Sequence, residues 1–245
     1  MKALAGKTVL VTGAARRLGK AIALAMADTG AQVALTYLSS ADEAERTLAE
    51  IRSKGVKGLA VECDVRQEES VRGAVDSVLK EFGGLDVLVN NAGMFVNSAF
   101  EQITVDEWDE VFATNVRGPF LMSKHSVPAL RRSQGRIVHL GSLGGERPWP
   151  THAHYCSSKA ALHMLTQVMA RALAPEISVN CVAPGTIDAK DGHDDRVFME
   201  RVASHTPMRR NGTVEEVASA VMYFATASRF ITGQIVNVDG GLSLA

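Results

Sequence analysis

Short runs dense in valine, leucine and isoleucine alternate along the chain with longer stretches whose apolar residues recur every three or four positions. The short runs are Lys7–Thr12, Gln32–Tyr37, Gly58–Cys63, Asp86–Asn90, Arg136–Leu140, Ser178–Val182 and Ile235–Val238. Most are apolar nearly throughout rather than at alternate positions, as expected of strands covered on both faces in a parallel sheet. Between them, Leu18–Thr29 sets Ile22, Ala25 and Met26 on one helical face and stops at Gly30. Ser40 with Glu43, Thr104 with Glu107 and Thr213 with Glu216 each have the spacing of a capping box opening a helix. Tyr155–Ala172 reads as a further, largely apolar helix. This alternation predicts an α/β fold, one doubly wound sheet of about seven parallel strands with helices on both faces. No repeat, low-complexity tract or Pro/Gly/Ser linker divides residues 1–245, so they read as a single domain. Asp188–His205 breaks the pattern, being polar and charged after a strand end. It marks a candidate lid near 188–206.

Composition narrows the classes. The 245 residues are 46% hydrophobic, 22% charged and 5% aromatic with a net charge of -1, which suits one large α/β domain. The balanced charge argues against a nucleic-acid or anionic-membrane partner, since both demand a basic surplus. No apolar run approaches the roughly 20 residues of a membrane span. Met1–Lys7 lacks a secretory apolar core. Three scattered cysteines, Cys63, Cys156 and Cys181, form no CxxC pair, which argues against a disulfide framework or thiolate zinc site and makes the cytoplasm the expected compartment.

The first strand runs into Thr12-Gly13-Ala14-Ala15-Arg16-Arg17-Leu18-Gly19-Lys20 and then a helix. Glycine there permits unusual backbone angles and close approach of a ligand, and the helix offers unpaired N–H groups to a pyrophosphate. The same letters can make a plain βα turn. Their position in the first βα unit of a doubly wound chain favours dinucleotide binding. The second strand ends Leu35-Thr36-Tyr37-Leu38-Ser39-Ser40, with no acid before Asp42. An NAD site usually places an acid at that point for the ribose 2′-hydroxyl. Its absence, with Arg16, Arg17, Ser39 and Ser40 nearby, favours the extra phosphate of NADP, unless both arginines are solvated surface charges.

Tyr155 and Lys159 stand one turn apart on a helix and share a face. An ammonium about 4 Å from the phenol, at an effective dielectric near 20, is worth about 4 kcal/mol, or roughly 3 pKa units. That would bring the phenol towards neutrality and make it a usable acid–base group. An exposed Tyr/Lys pair is the plainer reading of the two letters alone.

The rest of the chain resembles the short-chain dehydrogenase/reductase family from end to end. The matching pieces are Thr12-Gly13-x-x-x-Arg17-x-Gly19, Cys63-Asp64-Val65, Asn90-Asn91-Ala92-Gly93, Asn115-Val116, Gly141-Ser142, Tyr155-x-x-x-Lys159, Pro184-Gly185 and Asp239-Gly240-Gly241, in the family's order. The resemblance implies a Rossmann-type fold and a nicotinamide cofactor. It casts Tyr155 as the group that protonates a carbonyl oxygen or deprotonates an alcohol, and Lys159 as its helper and ribose ligand. Ser142 would bind the same substrate oxygen and Asn115 would order a proton-relaying water. Alone, Asn115 reads equally as a buried helix-kink residue. Cofactor contacts implied are Gly13, Arg16, Arg17, Leu18, Gly19, Tyr37, Ser39, Ser40, Asp64, Val65, Asn91, Ala92, Gly93, Tyr155, Lys159, Pro184, Gly185, Thr186 and Ile187. Two departures stand out: Arg17 replaces the family's middle glycine, and Ala189 stands where many members carry threonine.

Arg17-Leu18-Gly19, Tyr37, Ser40 and Phe95 are similar to pteridine reductases, in which an aromatic ring stacks a flat pterin. Phe95 could do this, or it could simply line the pocket. Ser142 opposes the pterin reading, because some of those enzymes carry an acid there. A second specialisation, 3-oxoacyl-carrier-protein reduction, needs a basic docking patch. Arg131 and Arg132 provide one, but Glu176 and the acidic lid residues Asp188, Asp191, Asp194 and Asp195 weigh against it. His152 and His154 read as solvated loop histidines rather than metal ligands, so no metal site is expected, and Cys156 reads as packing. The reading is therefore an NADP-dependent oxidoreductase acting on a small carbonyl or alcohol substrate. A non-catalytic NADPH-binding regulator is the competing class, and a homotetramer is the assembly the family implies.

Overall fold

A computed structural model describes residues 2–189 and 196–245. Strands β1 (Thr8–Val11), β2 (Gln32–Tyr37), β3 (Gly58–Glu62), β4 (Val87–Asn90), β5 (Arg136–Leu140) and β6 (Ser178–Pro184) lie within two residues of the runs expected from sequence. Two two-residue strands follow, β7 (Ile187–Asp188) and β8 (Gly212–Thr213), and then β9 (Ile235–Val238). Seven of these form one sheet in the order β3-β2-β1-β4-β5-β6-β9, and every neighbouring pair is parallel.

The apolar runs have a direct explanation in the packing. Val9 and Val11 of β1, Val87 and Val89 of β4 and Val138 of β5 face a layer built on α1 (Arg17–Asp28) and α8 (Val214–Thr226). Leu10, Leu88 and Ile137, the intervening residues, face the opposite layer with α3 (Glu68–Phe82) and α5 (Gly118–Ser133). Side chains alternate across a strand, so both faces demand apolar residues. Leu10, Ile22 and Met122 are fully buried, each contributing about 1.5–3 kcal/mol by removal from water. The remaining helices are α2 (Ala41–Ser53), α4 (Val105–Phe112), α6 (Ala153–Ala172) and α7 (Arg196–His205).

The predicted caps divide. Thr213 forms a complete capping box with Glu216. Thr104 accepts from the Glu107 N–H at 3.1 Å. Ser40 does not cap with its side chain: its φ of -97 and ψ of 57 depart from the extended geometry that aims a serine at the helix. Of the expected lid, 190–195 lie outside the described residues, including Asp191, Asp194 and Asp195. The flanks are tied together where β7 pairs with β8. Among the described residues no helix is long and apolar enough to cross a membrane.

Candidate active site

In a doubly wound sheet a crevice opens at the carboxyl edge where the strand order reverses. Here that point lies between β1 and β4, whose ends are stitched together. The Asn91 side chain donates to the carbonyls of Thr12 at 2.9 Å and Gly13 at 3.0 Å. The Thr12 hydroxyl accepts from the Asn91 and Ala92 N–H groups, both at 3.0 Å. The glycines are required by space. Gly13 has a φ of +61, and a Cβ on it would lie 2.9 Å from Ala92 Cα. A Cβ on Gly19 would lie 2.5 Å from the Gly13 carbonyl oxygen. Arg17 keeps the left-handed conformation with φ 52, so the turn retains a glycine-like shape without the glycine, at a cost of roughly 1–3 kcal/mol. The result is a backbone cradle at a helix N-terminus, with Arg16 and Arg17 exposed beside it. This fits a pyrophosphate.

Tyr37 ends β2, and Ser39 and Ser40 follow it at the same edge. Sequence reasoning missed Glu62, which pairs in register with Tyr37 on the adjoining strand. Asp64 is tied up locally: its carboxylate receives the Arg66 guanidinium at 2.9 Å on each oxygen. That pairing holds its pKa below the usual range. Val65 is buried against Gly118. Pro184, Gly185, Thr186 and Ile187 continue from the β6 edge, half-buried, with a Gly185 Cβ excluded by Asp239 Cα at 2.9 Å.

On the β5 side, Ser142 Oγ accepts from the Gly144 N–H at 3.0 Å and stands close enough to the Tyr155 phenol to ease its titration. The Lys159 ammonium lies 5.7 Å from the Tyr155 ring centroid and donates to the Leu140 carbonyl at 2.8 Å. The structure thus brings Ser142, Tyr155 and Lys159 together. It reverses the expected electrostatics, however. Burial pushes the Tyr155 phenol up to about 12, eased by Ser142. Burial also pulls Lys159 down to about 8. Desolvation outweighs the ammonium's pull on the phenol because the charge sits over the ring and on a carbonyl.

Asn115 sits in a π-helical turn, Ala113–Arg117, fully buried. Its amide clasps the main chain of Met94, accepting from N–H at 2.8 Å and donating to C=O at 2.9 Å, and donates to Ser158 at 3.0 Å. The extra residue of the π turn swings this amide out of its own helix towards the loop after β4. A Cβ on Gly93 would lie 3.4 Å from Asn115 Oδ1 and 3.6 Å from Lys159 Nζ, so Gly93 leaves that corner open.

The histidine expectation needs correction. His152 is 9% exposed and His154 is 0% exposed. His154 is anchored by Glu107 at 3.0 Å, and Glu107 also accepts from Ser98 at 2.7 Å. His154 packs because α6 begins at Ala153 and sets it against Glu107 of α4, whereas His152, at the N-cap of α6, is covered by the rings of Phe95 and Trp149. Phe95 is 60% exposed. It stacks on His152 at 4.6 Å and meets the Tyr155 ring edge-on at 4.8 Å. Trp149, which sequence reasoning did not single out, lies nearly parallel to Tyr155 at 6.4 Å. An isolated tryptophan between prolines carries no periodic signal to reveal it.

A family model described as Enoyl-(Acyl carrier protein) reductase matches residues 13–243. The 3-oxoacyl-(acyl-carrier-protein) reductase FabG of Staphylococcus aureus is 38% identical over 241 residues, 96% of this chain and 98% of that protein. Among solved structures, a short-chain dehydrogenase/reductase of Serratia marcescens is 39% identical with a TM-score of 0.93, covering 98% and 99% of the two chains. An NAD+-bound xylitol dehydrogenase is 34% identical with a TM-score of 0.91, covering 97% and 99%. These likenesses run through every element that builds the crevice, and the chain belongs to the short-chain dehydrogenase/reductase family of nicotinamide-dependent oxidoreductases.

Proposed function

We propose that the chain is an NADPH-dependent carbonyl reductase, with Tyr155 as the proton donor. The observation that carries the reading is the gathering of Ser142, Tyr155 and Lys159 at the carboxyl edge, with the Lys159 ammonium 5.7 Å from the Tyr155 ring centroid, beside the cradle of Gly13 and Gly19. When bound, the nicotinamide supplies the hydride. The chain supplies the rest. Ser142 Oγ and the Tyr155 O–H converge on one substrate oxygen, and the phenol delivers its proton as negative charge develops there. A phenol pushed to about 12 holds its proton at neutral pH, which suits the reducing direction. Lys159, pulled to about 8, remains mainly protonated at pH 7 and reachable as the phenol's proton source. Asn115 acts by fixing Met94 and Ser158 around this pair. Arg16 and Arg17 favour the 2′-phosphate of NADP, while Glu62 near Tyr37 is the residue that would weaken that preference.

Tyr155→Phe tests the reading. NADPH binding, followed by its fluorescence, stays within about twofold while carbonyl-dependent NADPH oxidation falls about 10²- to 10⁴-fold. Retained turnover would overturn Tyr155 as the acid, and NADPH binding without turnover of any carbonyl by the wild type would favour a regulator. The names of the relatives favour 3-oxoacyl-carrier-protein reduction as a second reading, and Arg131 and Arg132 are exposed at the end of α5. Phe120, Met164 and Val168 are 47%, 59% and 55% exposed on α5 and α6. Beside them a groove of about 830 Å³ is lined by Phe112, Val116, Phe120 and Leu165 together with the charged Arg66, Asp109, Glu110 and Arg117. This face is the proposed self-association surface of a homotetramer.

A further inference from the structure

We infer that Phe95, Trp149 and His152 form a specificity wall for a flat ring attached to the reacting carbonyl, so that aryl ketones are the preferred substrate class. This rests on the carbonyl-reductase reading above. Three rings crowd one side of the proposed proton donor. Phe95 stacks on His152 at 4.6 Å with planes 26° apart, and Trp149 stands edge-on to His152 at 5.6 Å. Trp149 is 15° from parallel with Tyr155, and Phe95 is perpendicular to it at 89°. These planes offer a flat ligand both a face and an edge, the two arrangements aromatic rings prefer.

The wall is held rather than loose. The loop bearing Phe95 is fixed on one side by the Asn115 clasp on Met94. On the other side the Ser98 N–H donates to the Thr151 carbonyl at 3.0 Å, and the Ser98 hydroxyl reaches Glu107, which also holds His154. Thr151 in turn pairs with His152 Nδ1 at 2.9 Å. Phe95 remains 60% exposed despite these contacts, so a large apolar surface faces outward next to Tyr155. The cation on the adjoining loop, Arg147, is engaged by the carbonyls of Leu242 and Ala245. An extended acyl thioester gains little from fixed ring planes, whereas a ring conjugated to the carbonyl lies against them as that carbonyl meets Ser142 and Tyr155.

The test compares acetophenone with cyclohexyl methyl ketone, which has the same ring size without flatness or π electrons. The readout is the ratio of their kcat/KM values with NADPH. In Phe95→Leu and in Trp149→Leu the ratio falls about 2- to 12-fold, the factor expected for one lost aromatic pair. Phe230→Leu, on the amino edge of the sheet and 97% exposed, leaves the ratio unchanged. An unchanged ratio in both wall variants, or a preference for an acetoacetyl thioester over acetophenone in the wild type, overturns the wall while leaving carbonyl reduction standing. Failure to reduce any of the three ketones, with NADPH bound, overturns the reading beneath it.

Discussion

Lys159→Met is expected to make the protein more stable at neutral pH. Lys159 is 5% exposed, and burial pulls its ammonium from 10.5 to about 8. At about 1.4 kcal/mol per pKa unit, keeping the charge buried at pH 7 costs about 3 kcal/mol. Methionine fills similar volume without the charge, and loses one hydrogen bond to Leu140, worth about 1 kcal/mol. The net gain is therefore about 2 kcal/mol. The sign of the pH dependence follows from the same values. Between pH 8 and 10.5 the unfolded lysine holds its proton while the folded one has released it, so wild-type stability rises through that window. Below pH 8 the penalty is present in full. Urea unfolding of both proteins at one concentration should show the variant ahead at pH 7 and the gap closed by about pH 9.5. A variant less stable at pH 7, or a gap that ignores pH, would refute the reasoning. A charge kept at such a cost is what the catalytic role proposed for Lys159 would explain, as stability is often traded for activity.

The same geometry sets three other outcomes. Gly19→Ala places a Cβ 2.5 Å from the Gly13 carbonyl oxygen, and NADPH affinity by fluorescence titration should drop at least about tenfold as the turn shifts. Arg17→Gly relieves the left-handed strain at φ 52 and should raise the unfolding free energy by about 1 kcal/mol, while lowering the NADPH-over-NADH ratio of kcat/KM. The alkaline limb of kcat for ketone reduction should fall near pH 8, following Lys159, rather than near the phenol's value of about 12. Lys159→Arg should move that limb upward.

Much of the fold was legible because parallel strands carry apolar residues on both faces. Val9 and Leu10 look alike in the sequence although they serve opposite layers. That is why a run without alternation gave the right strand and the right sheet class. Thr213 was legible for a different reason: a capping box is local, and its partner stands three residues away. Ser40 has the same letters and fails, because the backbone leaving β2 arrives with the wrong dihedrals. The strands β7 and β8 are two residues each, too short to leave any period. Asn115 was marked by resemblance, but its π turn was not: one added residue per turn alters no composition.

What sequence spacing could not supply was solvent exposure, and the chemistry of the site depends on it. A Tyr/Lys pair one turn apart predicts an acidified phenol only if the ammonium faces the oxygen and water is near. In the fold the ammonium is buried and turned to Leu140 while the phenol is half-buried beside it, so their order inverts, with the phenol up to about 12 and the ammonium down to about 8. The pair then holds two protons at pH 7, and the lysine yields its own first. A phenol backed by a readily discharged ammonium, with Ser142 beside it, is the arrangement the proposed reduction would use. Burial also explains why His152 and His154 misled: helix α6 begins at Ala153, ahead of Tyr155, and draws His154 into the protein, while Phe95 and Trp149 cover His152 at its N-cap.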